Sequence, residues 1–239
     1  MVAVLGLASI ASADVWYSSN GFEPPTFTPG PLAGQDAWTG GGAGGGIAPM
    51  VVTPPDPVIG TQAVRLEVPD IQGANSWMDH AIPAFDVAGT IVTVSYDIYR
   101  QENPWLSNLW WWWWDAGTPT YGLQWDAAVG NPGQTLPHGW NPGASAAVTI
   151  TGRYANVTMV WDFQQGKAYS WYDGNLVDNG IPISDISALT GWTIQLGHDE
   201  ATGTGPEVCW IDNFSITVVP EPTALALLAL GGLALLRRR

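Results

Sequence analysis

From Gln62 onward, apolar and polar residues alternate in short runs separated by Gly, Pro, Asn and Asp, the pattern of antiparallel β-strands. In IVTVSYDIY a period of two puts Val92, Val94, Tyr96 and Ile98 on one face and Thr93, Ser95 and Asp97 on the other. NVTMVWDF repeats the pattern with Val157, Met159, Trp161 and Phe163 inward, and WTIQLG does so with Trp192, Ile194 and Leu196. Gln164-Gln165-Gly166-Lys167 predicts a hairpin with glycine at the turn, and Asp173-Gly174 predicts a second tight turn. No stretch of this body has helical periodicity. Several short strands at such spacing predict an all-β fold, an antiparallel sandwich or jelly roll over residues 62–219.

The flanking stretches read differently. Residues 14–61 carry FEPPTFTPGPLAGQDAW, a glycine run and PPDP, which predict an extended segment with an edge strand and a flexible glycine loop. Residues 1–13 read as the apolar core of a secretion signal ending in Ala11-Ser12-Ala13, which places cleavage between Ala13 and Asp14. The basic residue that usually precedes such a core is missing, and a first buried strand is the alternative reading. Residues 220–239 combine the break Pro220-Glu221-Pro222, the apolar run Thr223–Leu236 and the cluster Arg237, Arg238 and Arg239. A short C-terminal apolar helix over that run would span about 21 Å, against a hydrocarbon core of about 30 Å. It would make a marginal permanent anchor, and Gly231-Gly232 weakens it further. The arginines would hold their end on the cytoplasmic side.

A proline-bounded acidic residue, then a short apolar helix, then an arginine cluster resembles the PEP-CTERM sorting signal of bacterial proteins. The resemblance implies export, transient inner-membrane insertion by the helix, and an exosortase as processing partner. It also implies a destination at the cell surface or in the extracellular matrix. Pro220, Glu221 and Pro222 would then be the recognised motif and Arg237, Arg238 and Arg239 the basic stop. Within the body, the hairpin order VTMVWDFQQGKAYSWYDGNLV, followed by CWIDNFSIT as a closing strand, resembles concanavalin A-like lectin and glucanase sandwiches. That second resemblance implies a glycan-associated fold.

Charge narrows the partners. Twenty-one Asp and Glu face seven Lys and Arg, for a net charge of -14. Three of the seven are Arg237, Arg238 and Arg239, so the body lacks the clustered cations that nucleic acid requires. Cys209 is the only cysteine, which excludes an intramolecular disulfide, and its apolar alternating run marks an inert strand position.

Tryptophan supplies the candidate binding chemistry. Trp110 to Trp114 are consecutive, so on a strand Trp110, Trp112 and Trp114 share one face and Trp111 and Trp113 the other. Leu109 sides with the second pair and Asn108 with the first three, which points the three outward; Asp115 argues the reverse. Three exposed tryptophans, at about 150–250 Å² each, would match or exceed the patch of about 300–600 Å² that a monomer tolerates. Something should cover them: the Pro/Gly-rich segment, a polysaccharide stacking on the rings, or a protein partner.

Catalytic signals are sparse. A glycosidase needs two flanking carboxylates, about 5–5.5 Å apart for retention and wider for inversion. The Glu-x-Asp-x-x-Glu pattern is absent, and Glu67, Glu102, Glu200 and Glu207 are isolated. Asp199-Glu200 is either a solvated turn or a weak Ca²⁺ candidate. His80, His138 and His198 lack zinc spacing, and neither a nucleophile elbow nor a phosphate loop is present. The expectation is a non-catalytic, exported, glycan-associated binding or structural module. It would need no cofactor apart from the Ca²⁺ candidate; a glycoside hydrolase or lyase on the same sandwich is the alternative.

Overall fold

The computed structural model describes residues 13–56, 60–100, 107–115, 118–128, 131–137, 152–183, 188–198 and 205–219. They form two antiparallel sheets packed face to face. The larger sheet runs β13 (Asn175–Pro182), β12 (Lys167–Tyr172), β11 (Tyr154–Asp162), β7 (Ile91–Arg100), β15 (Glu207–Val219), β5 (Ala63–Val68), β4 (Ile47–Val52) and β2 (Gly30–Pro31). A ninth strand, β1 (Asp14–Ser18), pairs with the far half of β15. The smaller sheet runs β10 (Asn131–Pro137), β9 (Thr118–Ala128), β8 (Ser107–Asp115), β14 (Ala188–His198), β6 (Asn75–Asp86) and β3 (Trp38–Ala43).

The period-two pattern becomes the core directly. Val92, Val94, Tyr96 and Ile98 of β7, Val157, Met159 and Trp161 of β11, and Trp192, Ile194 and Leu196 of β14 are all buried. β11 and β12 pair in register from Val157↔Tyr172 to Asp162↔Lys167, closed by Gly166 at φ +63°. At the next turn Asp173 and Gly174 both take positive φ, +50° and +77°, as a two-residue hairpin turn of matching twist requires. Cys209 is 1% exposed, and burial pushes its thiol up to about 12, which leaves it without nucleophilic character near neutral pH.

One feature goes beyond the sequence reading and another departs from it. β15 is a central strand, flanked by β7 on one side and by β5 and then β1 on the other. It carries an irregularity between Asp212 and Ser215, with Asn213 at φ +48°, and both Asp212 and Phe214 are buried around it. The glycine run is strand and corner rather than a flexible loop. Gly40, Gly41 and Gly42 pair with Met78, Trp77 and Ser76. The chain then turns through Gly44 and Gly45, both at positive φ, and passes into β4 of the other sheet. Trp38, at the start of β3, is fully buried and donates from Nε1 to the Tyr17 hydroxyl at 2.7 Å.

At the amino-terminal boundary Ala13 is exposed and Asp14 opens β1, opposite Val218. Leader residues 1–12 and the tail Pro220–Arg239, with its expected helix and the motif residues Pro220, Glu221, Pro222, Arg237, Arg238 and Arg239, lie outside the described residues. Among the described residues no helix is long and apolar enough to cross a membrane.

Candidate functional site

The outer face of the smaller sheet gathers the site. On β8 the strand period separates neighbouring tryptophans. Trp113 is fully buried, edge-on to Trp161 at 6.0 Å and to Trp192 at 6.4 Å. Trp114, one residue on, is half-buried on the opposite side. Its Nε1 donates to Thr193 Oγ1 at 2.8 Å, and Thr193 donates in turn to Asp79 Oδ1 at 2.6 Å. Trp77 also hydrogen-bonds the Asp79 carboxylate. Burial raises the pKa of Asp79, and these two bonds oppose the rise. The carboxylate therefore holds two indoles in place, one directly and one through a threonine.

Both indoles lie over glycine. A Cβ on Gly191 would come 2.8 Å from Cε3 of Trp114, and one on Gly41 would come 2.9 Å from Cζ2 of Trp77. No side chain props either ring off the sheet, so each is seated against the backbone of the neighbouring strand. Gln195 Nε2 donates to Asn75 Oδ1 at 2.7 Å on the rung beside Trp77. From strand spacing and rise, Trp77 and Trp114 stand on the order of 16 Å apart across β14. Of the Pro/Gly-rich segment, β3 joins this sheet at its edge, beside Trp77, and extends the sheet there, while β1, β2 and β4 pair in the larger sheet.

Beneath the platform the core is aromatic. His80 stacks on Trp192 at 4.6 Å with an interplanar angle of 4°, and its Nε2 lies 3.0 Å from the Asp36 carbonyl. Burial holds its pKa below the usual histidine value, so the ring is a neutral core element.

Of the residues singled out from sequence, Trp114 is thus placed on the outer face. Trp110 and Trp112 pair by backbone with Gln195 and Thr193, and their side chains lie outside the described residues. Asp199 and Glu200 lie outside them too. Trp77, Asp79, Thr193 and the glycines Gly41 and Gly191 were not singled out. NSWMDH does alternate, with Met78 and His80 buried, and so places Trp77 and Asp79 outward; the glycines are legible only once β3, β6, β14 and β8 are paired. Among the described residues no three of His, Cys, Asp or Glu gather as metal ligands.

Residues 218–239 match the PEP-CTERM protein-sorting motif. No curated protein sequence matches the chain. Among solved structures, a Bacillus subtilis protein of unknown function with a galectin-like fold aligns at a TM-score of 0.53 and 10% identity, covering 89% of this chain and 100% of that one. The carbohydrate recognition domain of Emp47p aligns at 0.50 and 11% identity, covering 81% and 94%. A sialidase aligns at 0.50 and 12% identity over 75% of this chain, which spans 17% of the length of that protein. At these identities the likeness shows the fold alone, a galectin-like and lectin-like β-sandwich.

Proposed function

We propose that this chain is an exported, exosortase-sorted surface or matrix protein whose smaller sheet binds polysaccharide without catalysis. The premise is the PEP-CTERM motif at residues 218–239, which implies export and exosortase processing. In this reading the apolar tail inserts transiently in the inner membrane and is then lost. The mature protein is expected to lack Arg239, as read by intact-mass measurement of the native protein from surface or matrix fractions. A membrane-bound form retaining Arg239 as the end product would overturn the sorting reading.

The observation that carries the binding reading is the pair of indoles seated against Gly41 and Gly191, with hydroxyl, carboxylate and amide groups between them. A pyranose ring offers an apolar C–H face and peripheral hydroxyls. An indole face complements the first, and the half-buried Asp79 and Gln195 the second. The separation of the two rings suits an oligosaccharide stretch rather than a single sugar. The non-catalytic part is supported by the engagement of Asp79, whose carboxylate is already used by Trp77 and Thr193. The full chain is expected to bind at least one polymer of a panel of bacterial and algal polysaccharides. Trp114→Ala should weaken that binding about tenfold, a loss of about 1.4 kcal/mol, while far-UV circular dichroism stays unchanged. Unaltered affinity in Trp114→Ala and Trp77→Ala alike would remove the platform from the mechanism. Release of reducing ends would replace binding by hydrolysis.

A further inference from the structure

The last strand of the sandwich is paired to its final rungs. Val218 and Val219 lie opposite Val92 and Ile91 of β7, and on the other side Thr217 and Val218 lie opposite Val15 and Asp14 of β1. Ile216 and Val218 point into the core and are buried. Pro220-Glu221-Pro222 starts at the very next residue, so nothing separates the strand from the motif. From Val219 to Thr223, where the apolar run begins, extended chain reaches at most about 14 Å. The two sheets alone stand about 10 Å apart, before the turns around this end are added. With the apolar run in a bilayer, this end of the sandwich is therefore held against the membrane surface.

The two flanks of β15 differ in how firmly they are fixed. On the β7 side the neighbouring turns are tied to one another. The Phe163 N–H donates to the Thr90 carbonyl at 3.0 Å, Gln164 Nε2 to the Gly89 carbonyl at 2.7 Å, and Thr90 Oγ1 to the Val87 carbonyl at 2.8 Å. On the other side stands β1, five residues long and, among the described residues, paired with β15 alone. Its register breaks between Val15 and Tyr17, and Val15 is 67% exposed. Two rings fasten it. Trp16 packs on Phe85 at 4.6 Å, and the Tyr17 hydroxyl donates to Asp36 Oδ2 at 2.8 Å while accepting from Trp38 Nε1 at 2.7 Å.

An enzyme that cuts a peptide bond takes its substrate as extended chain and engages the backbone N–H and C=O groups beside the cut. At the end of β15 those groups are already used by β7 and β1, and the folded end leaves no room around the motif. We propose that the closed sandwich holds the sorting motif back from the exosortase, with β1 as the latch. The processed form is the open one, in which β1 and the last rungs of β15 have come apart. Opening of this kind starts at short edge strands with few anchors, and β1 is such a strand. The proposal rests on the sorting reading and adds its regulation: tail loss is coupled to the state of the fold.

The test follows loss of the tail from the full chain by intact mass, at intervals after synthesis is stopped, in bacterial cells carrying an exosortase. A flexible spacer of about eight Gly and Ser residues between Val219 and Pro220 leaves every strand in place and frees the motif from the rim. The spaced chain is expected to lose its tail about tenfold faster than the parent. Tyr17→Phe, which removes both hydrogen bonds of the latch, should speed the unspaced chain about fivefold. It should leave the spaced chain unchanged, which a general loss of stability would not do. If Tyr17→Phe fails to fold, the spacer comparison decides alone. Equal rates with and without the spacer would overturn the proposal and leave the sorting reading standing. Equal acceleration by Tyr17→Phe in both chains would do the same. No tail loss from any chain would overturn both.

Discussion

Trp113→Ala is expected to remove about 3–5 kcal/mol of stability, whereas Trp114→Ala, one residue further on, removes about 1 kcal/mol. The asymmetry follows from the strand period. Trp113 is fully buried between Trp161 and Trp192, so truncation opens a cavity where three indoles meet edge to face. The surrounding sheets cannot collapse into that space without breaking register on β14, which pairs on both sides. Trp114 loses one hydrogen bond, to Thr193, and part of a half-exposed surface. Urea unfolding of the two variants beside the parent chain reads the difference as a change in midpoint at constant slope. Equal losses would mean that the tryptophan run does not alternate across the sheet. Trp113→Phe should recover part of the deficit, because an aromatic ring of smaller volume still fills the site.

The division between the faces of β8 is what makes a run of five tryptophans tolerable in one chain. Trp113 supplies core volume, and Trp114 supplies a ring on the other side. The buried rows of β7, β11 and β14 were legible for the same reason, since a period of two is local information and needs no knowledge of pairing. The turn at Asp173-Gly174 was equally local. What could not be read is everything set by partners across strands. Gly41 and Gly191 matter because Trp77 and Trp114 lie over them, and each pair is brought together only by sheet register. The central place of β15, with β7 on one side and β5 and β1 on the other, is likewise set by pairing, since an apolar final strand reads equally well as an edge. The sorting tail is the opposite case: its three-part order is local, and residues 218–239 match the PEP-CTERM protein-sorting motif.

The glycine run gives the sharpest disagreement between the two readings, and a single substitution separates them by sign. If Gly40–Gly46 were a flexible loop, Gly46→Ala would be neutral or would stabilise by about 0.4–1 kcal/mol, because alanine restricts the unfolded chain. The corner predicts a loss of about 3 kcal/mol instead. Gly46 has no positive φ to strain an alanine; the conflict is one of space. A Cβ there would fall onto the carbonyl oxygen of Asn75, and one on Gly42 would fall onto that of Gly46. These are backbone atoms of β6 and of the corner itself. They can retreat only by breaking the Ala43↔Asn75 pairing and the Gly46-to-Ala43 hydrogen bond that close the turn. Gly166→Ala is the control. It meets nothing within 4 Å and should cost about 1–2 kcal/mol, from its φ of +63° alone. If chemical denaturation finds Gly46→Ala as stable as the parent chain, the two sheets are not joined through a close-packed glycine corner. If it is the less stable of the two variants, close packing between backbones, rather than glycine's freedom, is the reason that so many glycines stand together at this point.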